Sequence, residues 1–402
     1  MHTNPHRSRR AKLLGSLVCY GVILGALLLG WTYQQLPDVV YLEPGQQLSF
    51  PQLPGVGVRP PQGARSAAGT RADDANRQLT LAGCIPLKTV RTIVTDRPVV
   101  QVSGQPFGIK MFSEGALVVA FSDVETETGR ANPAKDAGIR LGDWIVKLGK
   151  EPIHSNQDLA QALQKVGGLS VTVTYQRDGV TGTAQLTPVR DTDGRWRAGM
   201  WVRDSSAGVG TLTFVDEARG TFGGLGHPIS DNDTGQSIAL RSGEIVACTI
   251  VGCEKGKVGS PGELKGKFSG GLAIGTIRKN TGCGVFGTVR RRFAGEAFPV
   301  GFAQEVQPGP AEIVTTLSGK EPARYQVEIE KIQYRTEGKK HNLLLRVTDP
   351  ALLAQTGGIV QGMSGSPIIQ NGRLVGAVTH VLVNDPTRGY GIFIENMLEA
   401  AG

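Results

Sequence analysis

The chain has 402 residues and a formal net charge of +8, with 56 glycines, 19% charged residues and 6% aromatics. That length holds two or three domains with cores of their own, and the glycine-rich, aromatic-poor composition fits many short strands and turns better than helical bundles. The positive charge is spread along the chain, with no arginine stripe interleaved with aromatics, which sets nucleic-acid binding aside.

Residues 13–33 carry no charged side chain and are long enough to cross a bilayer as a helix. Arg7, Arg9, Arg10 and Lys12 precede the segment, and Trp31 and Tyr33 close it as interfacial aromatics. The positive-inside rule then makes 1–12 a cytoplasmic tail, 13–33 a transmembrane signal anchor and the remainder an exported body. No small-x-small cleavage site follows the apolar run, so the anchor is read as uncleaved. Cys248 and Cys253 have no histidine cluster beside them, so no metal site is indicated and no cofactor is expected. Cys248, Cys253 and Cys283 are read as buried free thiols, with a disulfide among them as the alternative in an exported domain. Residues 34–104 read as a linker and a small β module. Pro51, Pro54, Pro60 and Pro61 break its first half, 63–78 is polar and exposed in character, and 89–94 and 99–102 are β-branched runs.

Residues 105–190 form the most legible unit. A strand is expected over 117–121, and then comes Ala137-Gly138-Ile139-Arg140-Leu141-Gly142-Asp143-Trp144-Ile145. A helix over 156–166 puts Leu159, Ala162, Leu163 and Val166 on one face, and strands follow over 169–176 and 181–186. This pattern resembles a PDZ domain. The resemblance implies an extended peptide ligand added to a sheet edge, with a backbone loop holding its terminal carboxylate. By position that loop is 107–111, which makes Gly108, Ile109 and Lys110 the expected peptide-binding residues, with Leu159 and Leu163 shaping the side-chain pocket. The family's usual Gly-Leu-Gly-Phe is here Phe107-Gly108-Ile109-Lys110.

From 195 to 402 the pattern is short β segments and glycine turns, including 210–215, 245–251, 284–290, 325–332 and 341–347. Within it lies Gly362-Met363-Ser364-Gly365-Ser366-Pro367. A serine flanked by glycines resembles the nucleophile loop of chymotrypsin-like serine peptidases. Acyl transfer needs a hydroxyl on a tight turn beside backbone N–H groups aimed at one point, and Gly362 and Ser364 are the expected oxyanion donors. The base is sought among six histidines. His227, in Gly224-Leu225-Gly226-His227-Pro228, is the choice. His341 is expected to face solvent, and His380, on the strand after the nucleophile loop, to pack near the site. Between Asp233 and Ser364 the sole aspartate is Asp349, which preserves the order His, Asp, Ser and is the expected orienting acid. Asp231 and Asp233 stay open as alternatives.

An anchor, a PDZ domain, Gly-His-Pro, and an Asp 15 residues before the first serine of Gly-Met-Ser-Gly-Ser-Pro together resemble the stage IV sporulation protein B peptidases of endospore-forming bacteria. The resemblance assigns the triad to His227, Asp349 and Ser364. It implies a mainly β fold: an N-terminal transmembrane helix, a small β segment, a PDZ domain, and a chymotrypsin-like double β-barrel. It also implies a peptidase in the forespore membrane that faces the intermembrane space. There it cleaves a membrane-bound regulator of an intramembrane protease, on the way to sigma-factor activation, and cuts itself, with the expected site within 63–78. A general envelope quality-control protease and an inactive PDZ peptide-binding scaffold are the competing functions.

Overall fold

The computed structural model describes residues 5–34, 36–50, 53, 55–59, 75–231, 234–269, 272–290, 295–334 and 340–402, with the side chains of 5–18, 59 and 75 outside the description. Helix Pro5–Gln34 covers the expected anchor. Among the described residues, however, no helix is long and apolar enough to cross a membrane, so the transmembrane part of the fold expectation is not supported. A four-stranded sheet follows, in the order Val39–Leu42, Ile85–Val94, Ala75–Leu81, Val56–Arg59, closed over Leu36, Val40, Phe50, Leu79 and Val90. Its third strand takes in the last residues of the expected linker 63–78; residues 63–74 lie outside the described residues.

Two rings of antiparallel strands make up the rest of the body. The first ring runs Pro106–Phe121, Leu240–Glu254, Gly275–Thr281, Gly284–Val289, Thr221–Gly224 and Met200–Asp216, and closes back on Pro106–Phe121. Alternation builds it: Phe107, Ile109 and Met111 point inward with Leu212, Phe222, Ile245, Ile277 and Val285 into one core. The second ring is a closed six-stranded barrel, in the order Gly309–Thr315, Ala323–Ile332, Leu343–Val347, Asp385–Phe393, Arg373–Leu382, Pro367–Gln370. Ile313, Val327, Ile329, Leu343, Leu345 and Ile368 fill it. Closure of both rings removes the exposed edges that would otherwise template aggregation.

The PDZ unit grows out of the first ring. Strand Pro106–Phe121 is 16 residues long: its first half is a stave of the ring, and Ala116 and Leu117 pair with Ile145 and Trp144 of the PDZ sheet. Helix Asn156–Val166 forms over the expected residues, capped by Ser155, whose Oγ accepts from Asp158 N–H at 3.0 Å. It lays Leu159, Ala162 and Leu163 onto Ala116, Val118, Ile145, Leu148, Val173 and Leu186. The PDZ unit is therefore inserted between the first stave of the ring and the last, where the sequence suggests a separate domain ending before the peptidase begins.

Candidate active site

The loop that carries Ser364 sits where the two rings meet. Gly365 carries φ +95°, and a Cβ there would lie 2.0 Å from Thr211 O and 2.5 Å from Leu225 N. Only glycine allows this approach of the loop to the first ring. The Gly365 N–H donates to Val378 O at 2.7 Å, and the half-buried Ser364 places its Oγ 2.7 Å from Thr379 O, to which it donates. The loop's other amides divide in two. Met363 N–H donates to Val360 O and Ser366 N–H to Met363 O, whereas the Gly362 and Ser364 amides have no protein acceptor among the described residues.

The directions of those two amides are fixed. In a trans peptide the N–H points opposite to the preceding C=O. Gln361 O accepts from Leu264 N–H at 2.8 Å, which turns the Gly362 amide the other way. Met363 O accepts from Ser366 N–H at 2.9 Å and from Ser366 Oγ at 2.7 Å, which turns the Ser364 amide away from the core. Ser366 is fully buried and spends its hydroxyl on this bond.

His227 reaches the same seam. It stands two residues after Leu225 on the glycine loop, and its ring lies 4.7 Å from that of His380, the residue after Thr379. Its Nδ1 is 2.8 Å from Pro228 O. A carbonyl can only accept, so Nδ1 carries the proton and Nε2 is left as the basic nitrogen. Burial, the leading cause, and the nearby Lys340 charge hold the imidazole below the usual histidine range. His380 falls to about 4 through burial and its histidine neighbours. His341, expected to face solvent, is instead half-buried: it stacks on Tyr390 at 4.4 Å and brings Nε2 within 3.4 Å of His380 Nδ1.

Asp349 makes no hydrogen bond to His227 among the described residues. Its Oδ1 accepts from Ala351 and Leu352 N–H at 2.9 and 3.0 Å and its Oδ2 from Gln326 N–H at 3.3 Å, so it caps helix Pro350–Thr356. Asp349 follows strand Leu343–Val347, which stands three places from Pro367–Gln370 whichever way the six-stranded barrel is traversed, on the wall opposite the strand that Ser364 leads into. Asp231 is buried and paired with Arg203, and Asp233 lies outside the described residues. The orienting partner that His227 does have is the Pro228 carbonyl.

The expected peptide-binding residues divide as well. Ile109 pairs with Gly208 on one side and Ile245 on the other, and Gly108 and Lys110 are likewise paired on both sides. A strand with both edges hydrogen-bonded cannot accept a third, so Gly108, Ile109 and Lys110 are barrel wall and not a peptide site. Leu159 and Leu163 do line a cleft, of about 470 Å³, whose opposite side is Ala198, Gly199, Met200 and Trp201. Ala198 O accepts from Ala134 N–H, and Gly199 O from Ser122 N–H and Asn132 Nδ2, so the amides of Gly199 and Met200 point away from those groups. Gly199 needs φ +77°, and a Cβ would meet Asn132 at 2.9 Å. The signal was present in Gly199-Met200-Trp201-Val202, a glycine followed by three apolar residues, but lay beyond the expected domain end.

A family model described as SpoIVB peptidase S55 matches residues 194–398, and a PDZ domain model matches residues 108–187. A Staphylococcus aureus protein that is named as a zinc metalloprotease is 46% identical over 56 residues, 14% of this chain and 13% of that protein. A similarly named protein of Neisseria meningitidis is 30% identical over 105 residues, 25% of this chain and 22% of that protein. The chain thus spans less than a quarter of the length of these relatives. Among solved structures, the PDZ domain of an SdrC-like protein of Listeria monocytogenes is 20% identical with a TM-score of 0.18, covering 22% of this chain and 87% of that one. A protease of M. tuberculosis in its active form is 13% identical with a TM-score of 0.28, covering 49% of this chain and 75% of that one.

Proposed function

The chain belongs to the SpoIVB peptidase S55 family and is a PDZ-containing serine peptidase, and from that premise we propose that Ser364 is its nucleophile and a membrane-bound regulatory protein its substrate. The observation that carries the catalytic part is the pair of Gly362 and Ser364 amides on the turn that bears Ser364 Oγ, both with no protein acceptor among the described residues. In this reading the serine hydroxyl leaves Thr379 O and gives its proton to Nε2 of His227 as Oγ attacks the scissile carbonyl. The two amides hold the oxyanion, and the His227 imidazolium, steadied by Pro228 O, protonates the leaving amine. Water then repeats the sequence on the acyl-enzyme.

The cleft between helix Asn156–Val166 and Ala198–Val202 receives an extended peptide, the strand Met200–Arg203 being hydrogen-bonded to Pro106–Phe121 along one edge. The body works outside the cytoplasm, held near a membrane by helix Pro5–Gln34. Support comes from the apolar side chains the helix leaves exposed, among them Tyr20, Leu24, Leu27 and Trp31. Family membership supports a signalling role in sporulation, with cleavage of the regulator of an intramembrane protease and self-cleavage within 63–78.

The test is proteolysis of β-casein by the full chain in detergent. Wild type cuts it, and Ser364→Ala and His227→Ala each lose on the order of 10⁴-fold or more. A Ser364→Ala protein that still cuts at the wild-type rate overturns the assignment. N-terminal sequencing of wild type against Ser364→Ala tests self-cleavage: identical fragments from both point to a foreign protease.

A further inference from the structure

Three hydrogen bonds cross from the first ring to the carbonyls of the nucleophile loop, and all three start on two threonines of strand Met200–Asp216. Thr211 N–H donates to Ser364 O at 2.9 Å, and Thr211 Oγ1 donates to Gly362 O at 2.8 Å. Thr213 Oγ1 donates to Gly365 O at 2.7 Å. Thr211 is 2% and Thr213 0% exposed. The register against Thr221–Gly224 slips between Leu212 and Phe214, so Thr213 is the extra residue of a bulge, the device by which a strand re-aims a side chain.

We propose that Thr211, with Thr213 beside it, is a positioning residue for acyl transfer, acting through the peptide planes around Ser364; the proposal rests on the reading of Ser364 as nucleophile. Each plane it touches is pinned at both ends. The Ser364–Gly365 plane is held by Thr211 N–H on its carbonyl and Val378 O on its amide, and the Gly362–Met363 plane by Thr211 Oγ1 and Val360 O. Between these two planes lies the one whose amide belongs to Ser364. Loss of the Thr211 hydroxyl frees Gly362 O, lets its plane tilt, and shifts the Gly362 and Ser364 amides relative to Ser364 Oγ. Misplacement on the scale of an ångström costs roughly 100-fold in rate, whereas a hydroxyl that served only the fold would change melting and leave the chemistry alone.

The experiment reads the second-order rate at which a fluorophosphonate labels Ser364 in the full chain, together with the melting temperature. Thr211→Val, which keeps the shape and removes the hydroxyl, labels roughly 10- to 100-fold more slowly than wild type, and Thr211→Ser restores most of that loss. Labelling of Thr211→Val at the wild-type rate overturns the proposal, as does equal slowness in Thr211→Val and Thr211→Ser. If Thr211→Val is unfolded at the assay temperature, Thr213→Val carries the same expectation, and a wild-type rate there overturns it equally. Failure of wild type itself to label at Ser364 is a different result: it removes the nucleophile and not the clamp.

Discussion

His227 sits in a setting that keeps it neutral. Burial lowers its affinity for protons, Lys340 adds to the effect, and the Pro228 carbonyl opposes it. A base must be unprotonated to accept a proton, so the acid limb of kcat/KM is expected below the ordinary histidine value of about 6.5. A limb above pH 7 would assign the base role elsewhere. Asp349 yields the opposite kind of prediction. As the cap of helix Pro350–Thr356 it stabilises the fold, so Asp349→Ala is expected to cost about 1 kcal/mol in a denaturant titration while the folded variant retains turnover. Loss of turnover as large as in His227→Ala would return the acid role to Asp349. The two residues show what is readable in the sequence. Ser364 and His227 stand on glycine turns whose chemistry is local, and the structure places both against Val378–His380. Counting aspartates selects Asp349 but carries no information about which wall of a closed barrel it stands on.

At the scale of elements, helix Asn156–Val166 was legible to the residue because its apolar face is a local signal. Strand Pro106–Phe121 was not. The alternation of Phe107, Ile109 and Met111 is plain, but the partners on its two sides lie about 100 and 135 residues away, at Gly208 and Ile245, and no local pattern names them. Helix Ile394–Ala401 packs its Ile394 and Met397 against Val300, Phe302 and Leu374 and carries Glu395, whose carboxyl burial pushes up to about 8. The folded pKa lies above the unfolded one, so the native state holds the extra proton between pH 4.5 and about 8. Stability from this group is therefore full below 4.5 and is lost as pH rises through about 8. Glu395→Gln is expected to flatten the decline of melting temperature across that window, and parallel wild-type and variant curves would contradict the assignment. Gly199→Ala is expected to destabilise the PDZ cleft on two counts, its φ of +77° and the contact with Asn132, and so to weaken capture of an extended peptide.

Over the whole molecule, one strand runs between the two proposed sites. Met200–Asp216 begins as a wall of the cleft proposed for peptide and ends in the hydrogen bonds to the loop that carries Ser364. The two-ring architecture and the PDZ unit were readable from strand spacing and from the run Ala137–Ile145. Their interleaving was not, because the chain leaves the first ring after one stave, builds the PDZ unit, and returns. The cleft and the catalytic seam remain separable by mutation. Ala160→Trp, on the exposed cleft face of helix Asn156–Val166, is expected to block extended-peptide binding and leave reaction with a small acylating probe unchanged. The central claim is that Ser364, at the seam between the rings, is the reactive nucleophile. Mass-spectrometric mapping of a fluorophosphonate adduct on the full chain tests it most directly. The account predicts a single adduct on Ser364, absent in Ser364→Ala and strongly reduced in His227→Ala; an adduct on Ser366 or another serine that survives both substitutions would contradict it.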